Sequence, residues 1–347
     1  MKIIFKQLLF LSILLTVACR KDKPEDTIQP KVTVGNSAGV YITDEGNFQF
    51  GNSKVSYYDI ANAIVAEDLF KPANNVSLGD VCQSMYLLTG KAYLVVNNSG
   101  KVVVVNPLNF ITIATITGFT SPRYFLPVSN NKAYVTDLYS NAITIVNLST
   151  NTISGNIPCT GWTEELTLVY GKAFITNIRR NKVYVVNTAT DVIDDSIAVS
   201  YGTSSIKQDK NGKLWVLCSG DKATNKYPGL HRINPITNEV ELSLPFLNAA
   251  DSPSRLTING NADVLYYLLS DGVHQLNITD IALNPVALIS KATRNFYGLG
   301  VDPKDGVIYV SDAIDYVQRG IIYRYQPNGT LINSFKAGIT PNNFYFN

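Results

Sequence analysis

The sequence has little net charge and few charged residues. Its 347 residues include 29 Lys and Arg against 27 Asp and Glu, and charged residues make up 16% of the chain. Two of the basic residues, Lys2 and Lys6, fall within the first 18 residues, which contain no acid, so the remainder has 27 basic and 27 acidic residues. Proteins that bind nucleic acids or anionic lipid surfaces need clustered Lys and Arg. The balance therefore argues against both nucleic acid and a polybasic membrane-binding surface.

Histidine is scarce, and the common catalytic motifs are absent. Only His231 and His274 occur, at matching places in GLHRIN and GVHQLN, and neither has a second ligand nearby at metal-binding spacing. The sequence has no GxSxG, HExxH, P-loop or dinucleotide-binding motif. We interpret both histidines as hydrogen-bonded strand residues. The sequence therefore predicts a protein that is not an enzyme and that has no metal and no cofactor of its own.

Cysteine is also rare, with four residues in the chain. Apart from Cys19, the three others, Cys82, Cys159 and Cys218, are widely spaced and form no CxxC motif. We interpret them as small buried residues, with one disulfide of undetermined pairing as the alternative. Beyond the N-terminus, no apolar run is long enough to span a membrane as a helix.

The first 37 residues have the organisation of an exported lipoprotein. Residues 1–18 combine Lys2 and Lys6 with a ten-residue apolar run over 8–17, which is too short to span a bilayer. The run ends in Thr-Val-Ala-Cys, and small residues before a cysteine resemble a bacterial lipoprotein cleavage site. We predict a signal peptide at 1–18, lipidation of Cys19 and a flexible polar tether over 19–37. Cleavage without lipidation, which would give a soluble exported protein, is the alternative.

The dominant pattern is internal repetition. Seven copies of a short β-rich segment, such as AYVTDLY and AFITNIR, recur at spacings of 40 to 52 residues. The strands are too short and too rich in Val, Ile and Tyr to be helices, and four strands in a period of this length are typical of a propeller blade. The second strand of each repeat has an aromatic residue at the same place: Tyr41, Tyr93, Tyr134, Phe174, Trp215, Tyr266 and Tyr309.

The two ends of the repeat region predict how the ring closes. The first repeat, near Gly39, lacks a strand before its Tyr41 strand, and a strand-like segment without partners occupies 339–347. We predict that residues 344–346 supply the missing innermost strand of blade 1, which would remove two open sheet edges. The predicted fold class is therefore all-β, a seven-bladed β-propeller over 38–347 that is closed by its C-terminal strand.

Antiparallel strand order predicts which loops lie together. Loops between second and third strands and connections between blades share one end of the propeller, which we call the loop face. These loops are long and rich in aromatic, amide and arginine side chains, whereas the turns at the opposite end are short. Aromatic walls with a few placed polar groups suit a large, uncharged ligand. We predict ten ligand-binding residues on this face: Phe48, Arg123, Tyr124, Tyr139, Trp162, Tyr201, Tyr227, Tyr297, Asp315 and Tyr316.

Two levels of family resemblance follow from these motifs. The stretch AYVTDLYSNAITIVNLSTNTI resembles the repeats of YVTN/YncE-type seven-bladed propellers, a fold that hosts many functions. The stretches ITDEGNFQFGNSKVSYYD, LGDVCQSM, GFTSPRY and DAIDYVQRGIIYRYQPNGTLINSF resemble the BtuG-type surface lipoproteins of Bacteroidota. This resemblance implies a lipid-anchored protein at the cell surface of the outer membrane. It also implies binding of vitamin B12 (cobalamin) and related corrinoids and their delivery to a TonB-dependent cobalamin transporter.

Two other functions remain open at this point. One is an adhesion or carbohydrate-binding propeller, which would retain glycans and ignore corrinoids. The other is a propeller hydrolase or lactonase. It would depend on carboxylates of the loop face that hold a cation or act as a paired acid and base. The carboxylates that the sequence places there are Asp44, Glu45, Asp137, Glu164, Asp271, Asp312 and Asp315.

Overall fold

The repeats fold into seven four-stranded antiparallel sheets, as the sequence predicts. The computed structural model describes Val34 and residues 38–347. The predicted signal peptide, Cys19 and, apart from Val34, the tether over 19–37 lie outside the described residues.

Blades 1 to 4 take up the first part of the described chain, and each is given from its innermost to its outermost strand. Blade 1 consists of β28 (Pro341–Phe346), β1 (Gly39–Asp44), β2 (Lys54–Asp59) and β3 (Ile64–Ala66). Blade 2 consists of β4 (Cys82–Leu88), β5 (Lys91–Val96), β6 (Lys101–Val105) and β7 (Thr112–Thr117). Blade 3 consists of β8 (Pro122–Pro127), β9 (Lys132–Asp137), β10 (Ala142–Asn147) and β11 (Thr152–Pro158). Blade 4 consists of β12 (Thr163–Val169), β13 (Lys172–Asn177), β14 (Lys182–Asn187) and β15 (Val192–Ala198).

Blades 5 to 7 follow the same order. Blade 5 consists of β16 (Thr203–Gln208), β17 (Leu214–Cys218), β18 (Gly229–Asn234) and β19 (Glu239–Pro245). Blade 6 consists of β20 (Ser254–Ile258), β21 (Val264–Leu269), β22 (Gly272–Asn277) and β23 (Ile289–Ser290). Blade 7 consists of β24 (Phe296–Val301), β25 (Ile308–Asp312), β26 (Arg319–Tyr325) and β27 (Leu331–Ile339). Within residues 38–347, the helical segments are α1 (Phe70–Asn74) and two 3-10 turns, Asn97–Ser99 and Lys222–Thr224.

Burial follows the position of each strand within its blade. All six residues of β1 are buried, because the second strand of a blade lies between the two neighbouring blades. The outermost strand β11 instead alternates between exposed and partly buried residues, since one of its faces meets water. The seven repeated aromatic residues of the second strands are all buried. The described residues form seven apolar clusters, one at each junction between adjacent blades.

The ring closes through the C-terminal strand. β28 pairs antiparallel with β1, with Val40 opposite Phe346 and Ile42 opposite Phe344. The Tyr345 hydroxyl accepts a hydrogen bond from the Met85 N–H of blade 2 at 2.7 Å. On its other side, β28 contacts β24 of blade 7. The prediction that residues 344–346 complete blade 1 is therefore confirmed.

A buried carboxyl group lies beside this closure. Asp44 Oδ1 accepts a hydrogen bond from Gly338 N–H at 3.1 Å, and Asp44 Oδ2 lies 2.5 Å from the Ser56 hydroxyl. That hydroxyl also donates to the Glu67 carbonyl at 2.9 Å. Because a hydroxyl has one hydrogen, both Ser56 contacts are satisfied together when Asp44 is protonated and donates to Ser56. Burial raises the pKa of Asp44 to about 8, and the hydrogen bonds that Ser56 and Gly338 donate to the ionised carboxylate oppose this rise only in part.

The Asp44→Asn variant should therefore change how stability depends on pH. The pKa of Asp44 in the folded state lies above its value in the unfolded chain. The stability that protonated Asp44 contributes is therefore present at low pH and is lost as the pH rises through 8. The asparagine amide can donate to Ser56 and accept from Gly338 at any pH. We expect the variant to gain about 2 kcal/mol relative to the wild type between pH 6 and pH 9, measured by urea unfolding at each pH. The exposed Asp194→Asn variant serves as the control, and an equal gain in both would contradict the prediction.

Candidate functional site

A β-bulge interrupts the innermost strand of every blade near its start. In β4, for example, Cys82 pairs with Val96 and Ser84 with Val95, so that Gln83 is an extra residue. In β8, Pro122 pairs with Asp137 and Phe125 with Val135, and the same kind of shift occurs in the five other blades. A bulge bends a strand and redirects a side chain, and bulges are frequent beside functional sites. Here they bring bulge side chains of six blades together near the start of the innermost strands, at the end of the propeller that carries the loop face.

We call this set the axial ring and define it by one bulge residue from each blade. Its members, in the order of blades 1 to 7, are Asn342, Gln83, Arg123, Glu164, Ser204, Arg255 and Tyr297. Arg255 has a φ of +59°, in the left-handed region. For a residue with a side chain this conformation costs about 1–2 kcal/mol, which the surrounding bulge must impose.

Blades 2, 3 and 4 are joined in the axial ring by Arg123. Its Nε donates to both carboxylate oxygens of Glu164, at 3.1 Å and 3.0 Å. Its Nη1 donates to the Gln83 side-chain oxygen on the other side. Glu164 is buried, so the arginine supplies the charge that this carboxylate needs away from water. Burial raises the pKa of Glu164, and Arg123 opposes that rise.

Blades 6, 7 and 1 are joined by a second group around Glu45, which follows β1. The Tyr297 hydroxyl lies 3.0 Å and 2.9 Å from the two Glu45 carboxylate oxygens and donates its one hydrogen to that carboxylate, and Asn342 Nδ2 donates to Oε1 at 2.6 Å. Arg255 Nε donates to the Tyr297 carbonyl at 3.0 Å, and its guanidinium lies 4.9 Å from the centre of the Tyr297 ring. Burial raises the pKa of Glu45, whereas Arg255 and Arg123 lower it. Asn342 also donates to the Gln83 carbonyl at 3.2 Å, which links the two groups.

A pocket of about 260 Å³ lies at the axial ring and is lined by residues of blades 1, 2, 3, 6 and 7. Phe48, Tyr297 and Tyr316 form its aromatic walls, and Gln83 and Arg123 lie at its base. The Tyr297 and Tyr316 rings meet edge to face, with centroids 5.6 Å apart. Gln83 Nε2 is buried and has no hydrogen-bond partner among the described residues. The pocket therefore combines apolar walls with donors that suit a neutral acceptor such as an amide carbonyl.

Two further aromatic groups lie on other loops of the loop face. Tyr139 and Trp162 meet edge to face at 5.2 Å, and the Arg179 guanidinium stacks 4.0 Å from the Trp162 ring centre. Lys226 Nζ lies 3.7 Å from the ring centre of Tyr201. These cation–π contacts hold the rings in place.

The predicted site residues thus fall into separate groups. The structure brings Phe48, Arg123, Tyr297 and Tyr316 together in one pocket. Tyr139 and Trp162 form a pair, and Tyr201 lies under Lys226, next in sequence to the exposed Tyr227. Tyr124 lines a deeper cavity of about 370 Å³ formed by the innermost strands. The Asp315 carboxylate accepts hydrogen bonds from Val317 N–H and Gln318 N–H, and so caps its own loop.

The ten predicted residues leave out several members of the axial ring and its partner Glu45. Glu45, Glu164 and Arg255 are long polar residues of loop-face segments, but nothing in the sequence shows that they meet. Gln83 and Asn342 give no signal at all, because an extra residue in a strand becomes visible only once its register is known. A comparison of the seven innermost strands with one another would have been the one available clue.

The remaining polar residues bear on metal chemistry and crosslinking. His231 Nδ1 lies 3.0 Å from the Ser243 hydroxyl, and Nε2 lies 2.9 Å from that of Ser200. Burial lowers its pKa to about 4. No group of three or more His, Cys, Asp or Glu among the described residues is arranged to hold a metal ion.

Cys82, Cys159 and Cys218 are buried and free of disulfides. None of the helices in the described part is long and apolar enough to cross a membrane.

Fold and site together define a seven-bladed β-propeller with a polar axial ring under an aromatic loop face. The chain belongs to the family described as a domain of unknown function, DUF5074, whose model matches residues 38–346. No curated protein matches the sequence.

Solved structures of several other propellers are similar to this chain. A quinonprotein alcohol dehydrogenase-like protein from Bacteroides thetaiotaomicron is 13% identical, with a TM-score of 0.68 over 89% of this chain and 78% of that chain. A 6-phosphogluconolactonase-like protein from Bacteroides fragilis is 12% identical, with a TM-score of 0.67 over 92% and 99%. Apo AztD from Citrobacter koseri is 11% identical, with a TM-score of 0.58 over 90% and 98%. At these identities the likeness shows the fold alone.

Proposed function

We propose that this propeller captures vitamin B12 or a related corrinoid on its loop face at the cell surface and delivers it to a TonB-dependent transporter of the outer membrane. The observation that supports this best is the pocket at the axial ring. Its aromatic walls and the unpartnered Gln83 donor match a ligand with apolar surfaces and neutral amides at its edge, which is the chemistry of a corrinoid. The motif resemblance to BtuG-type lipoproteins supports the same ligand.

The geometry suggests how such a ligand would sit. A pocket of about 260 Å³ is too small for a whole corrin ring, so it would receive one edge group. The ring would lie across the loop face against Tyr139, which is 56% exposed, and beside Trp162 and Tyr201, each of which has a cation stacked on one face. Arg123 forms an ion pair with Glu164, and Arg255 lies near enough to lower the pKa of Glu45, so the two arginines are balanced by two carboxyl groups in this part of the site. An uncharged ligand is therefore favoured over an anion or a cation.

Titration with cyanocobalamin tests the proposal directly. A form that begins at residue 20 should bind one equivalent at micromolar protein concentration, followed by isothermal calorimetry. The Phe48→Ala/Tyr316→Ala variant should bind at least tenfold more weakly, because each large aromatic contact contributes on the order of 1 kcal/mol or more. Both side chains are largely exposed, at 63% and 46%, so the melting temperature should hardly change.

The control for this titration is Tyr170→Ala. Tyr170 is 68% exposed and lies in the turn between β12 and β13, at the end opposite the loop face. We expect its affinity for cyanocobalamin to equal that of the wild type. Absence of heat and of bound corrinoid with the wild type would reject corrinoid capture. Retention on a glycan array would then favour the adhesion alternative.

Anchoring at the cell surface is a separate part of the proposal. Metabolic labelling with a palmitate analogue should mark the wild-type chain and leave Cys19→Ser unlabelled. Growth with corrinoid as the limiting nutrient should suffer in the Cys19→Ser strain even though its propeller binds cyanocobalamin normally. Equal labelling of both proteins would reject lipidation at Cys19.

A further inference from the structure

A second cleft, of about 610 Å³, lies between blades 5 and 6 near their outer edge and shares no lining residue with the pocket at the axial ring. The outermost strand of blade 6, β23, has only two residues, whereas β19 of blade 5 has seven. The segment 278–288 runs between β22 and β23. Part of this segment, 281–285, forms one wall of the cleft.

Three aromatic rings form the inner surface of this cleft. The rings of Tyr267 and His274 stack with centroids 5.6 Å apart and planes 18° from parallel. Phe246 meets Tyr267 edge to face at 5.8 Å. Both Tyr267 and His274 are almost fully buried, so their positions are fixed by packing. The three rings are at most 4% exposed and pack on one another, so they form a rigid wall of the cleft.

The hydroxyl of Tyr267 is the polar group of this cleft that indicates a ligand. It is buried, and it has no hydrogen-bond partner among the described residues. Leaving such a group unpaired is costly, and the large majority of buried polar atoms in proteins do have partners. Because Tyr267 lines the cleft, a ligand atom there could accept the missing hydrogen bond.

The other polar groups indicate the charge of the ligand. His274 is held between the Asp271 carboxylate, 2.8 Å from Nε2, and the Asn284 carbonyl, 3.2 Å from Nδ1. Its ring nitrogens are therefore engaged. Asp251 and Asp271 both line the cleft, which disfavours an anion. At its mouth, Leu247 and Ile281 are 90% and 82% exposed, which leaves apolar surface that a ligand could cover.

From these contacts we propose that the cleft binds a small, uncharged and mainly apolar molecule with a single acceptor atom that takes a hydrogen bond from the Tyr267 hydroxyl. Its volume is in the range of ordinary ligand pockets, and its walls are mostly apolar with few polar groups. This site does not depend on corrinoid binding at the loop face.

Nile red, an uncharged planar dye with a ring carbonyl, serves as the probe. The chain that begins at residue 20 should give a saturable, blue-shifted emission. Tyr267→Phe should weaken binding about fivefold through the lost hydrogen bond. Leu247→Asp/Ile281→Asp should weaken it at least tenfold, because it places charges at the mouth. The melting temperature of Tyr267→Phe should be unchanged or higher, since its buried hydroxyl has no partner to lose.

The matched control is Ile236→Asp. Ile236 is 69% exposed and lies in the turn between β18 and β19 of blade 5, outside the cleft. It should bind Nile red as the wild type does. Absence of saturable binding, or equal loss in the control and in Leu247→Asp/Ile281→Asp, overturns the site. Wild-type affinity in Tyr267→Phe overturns the role of the hydroxyl.

Discussion

A chain that ends at Thr340 should fail to fold cooperatively. It lacks β28, which pairs with β1 along Val40–Asp44 and contacts β24 and β4 on its two sides. Its loss would also expose the edge of β1, a long and fully buried strand that would pair with other chains. We expect no cooperative transition in thermal unfolding followed by circular dichroism. Light scattering should show aggregation at concentrations where the full chain is monodisperse.

Two comparisons make this test specific. Tyr345→Phe keeps the strand and removes only the hydrogen bond from Met85 N–H, so it should cost about 1 kcal/mol and unfold cooperatively. A synthetic peptide of residues 339–347, added in trans, should restore part of the transition, because strand addition to an open edge supplies main-chain hydrogen bonds. A truncated chain with the melting temperature of the wild type would show that closure does not depend on β28.

Replacing Arg123 with alanine should lower the free energy of unfolding by about 3–5 kcal/mol at pH 8. The change leaves the buried Glu164 without the donor that contacts both of its oxygens and leaves the Gln83 oxygen without Arg123. An unpaired buried carboxylate can relieve part of the cost by taking up a proton. The loss should therefore be smaller at pH 5, as measured by urea denaturation at the two pH values.

A second substitution, at Glu164, provides the decisive control. Arg123→Ala combined with Glu164→Gln removes the unpaired charge, and it should recover at least half of the stability that Arg123→Ala loses. Arg179→Ala removes an arginine that stacks on Trp162 at the surface, so it should cost less than about 1 kcal/mol. A double variant that is no more stable than Arg123→Ala would mean that the cost comes from packing and not from charge.

The sequence predicts the architecture well because the repeat is a local signal. The aromatic residue of each second strand recurs at positions such as Tyr93 and Tyr134, and burial between blades requires it there. The closure by β28 is equally visible, since blade 1 has one strand too few and the C-terminal end has one too many. Both features follow from counting strands, which needs no knowledge of register.

The candidate site is much less visible in the sequence. Arg123 and Glu164 come from adjacent blades, but Glu45 and Tyr297 are 252 residues apart, and their contact depends on closure of the ring. Gln83 reaches the axial ring only because a bulge adds a residue to β4. Side-chain types on long loops could be predicted. Their convergence could not, because it is set by seven register shifts that the sequence does not display.

Those register shifts have an evolutionary consequence. Each bulge residue is an extra residue that has no partner of its own in the neighbouring strand. Its identity can therefore change while the pairing around it stays the same. Seven positions, one from each blade, can therefore change the chemistry at the axis without a change of strand pairing, and members that are paired, such as Arg123 and Glu164, would have to change together. Relatives with the same architecture could present a different set of polar groups at the axis through a few codon changes, without rebuilding any blade.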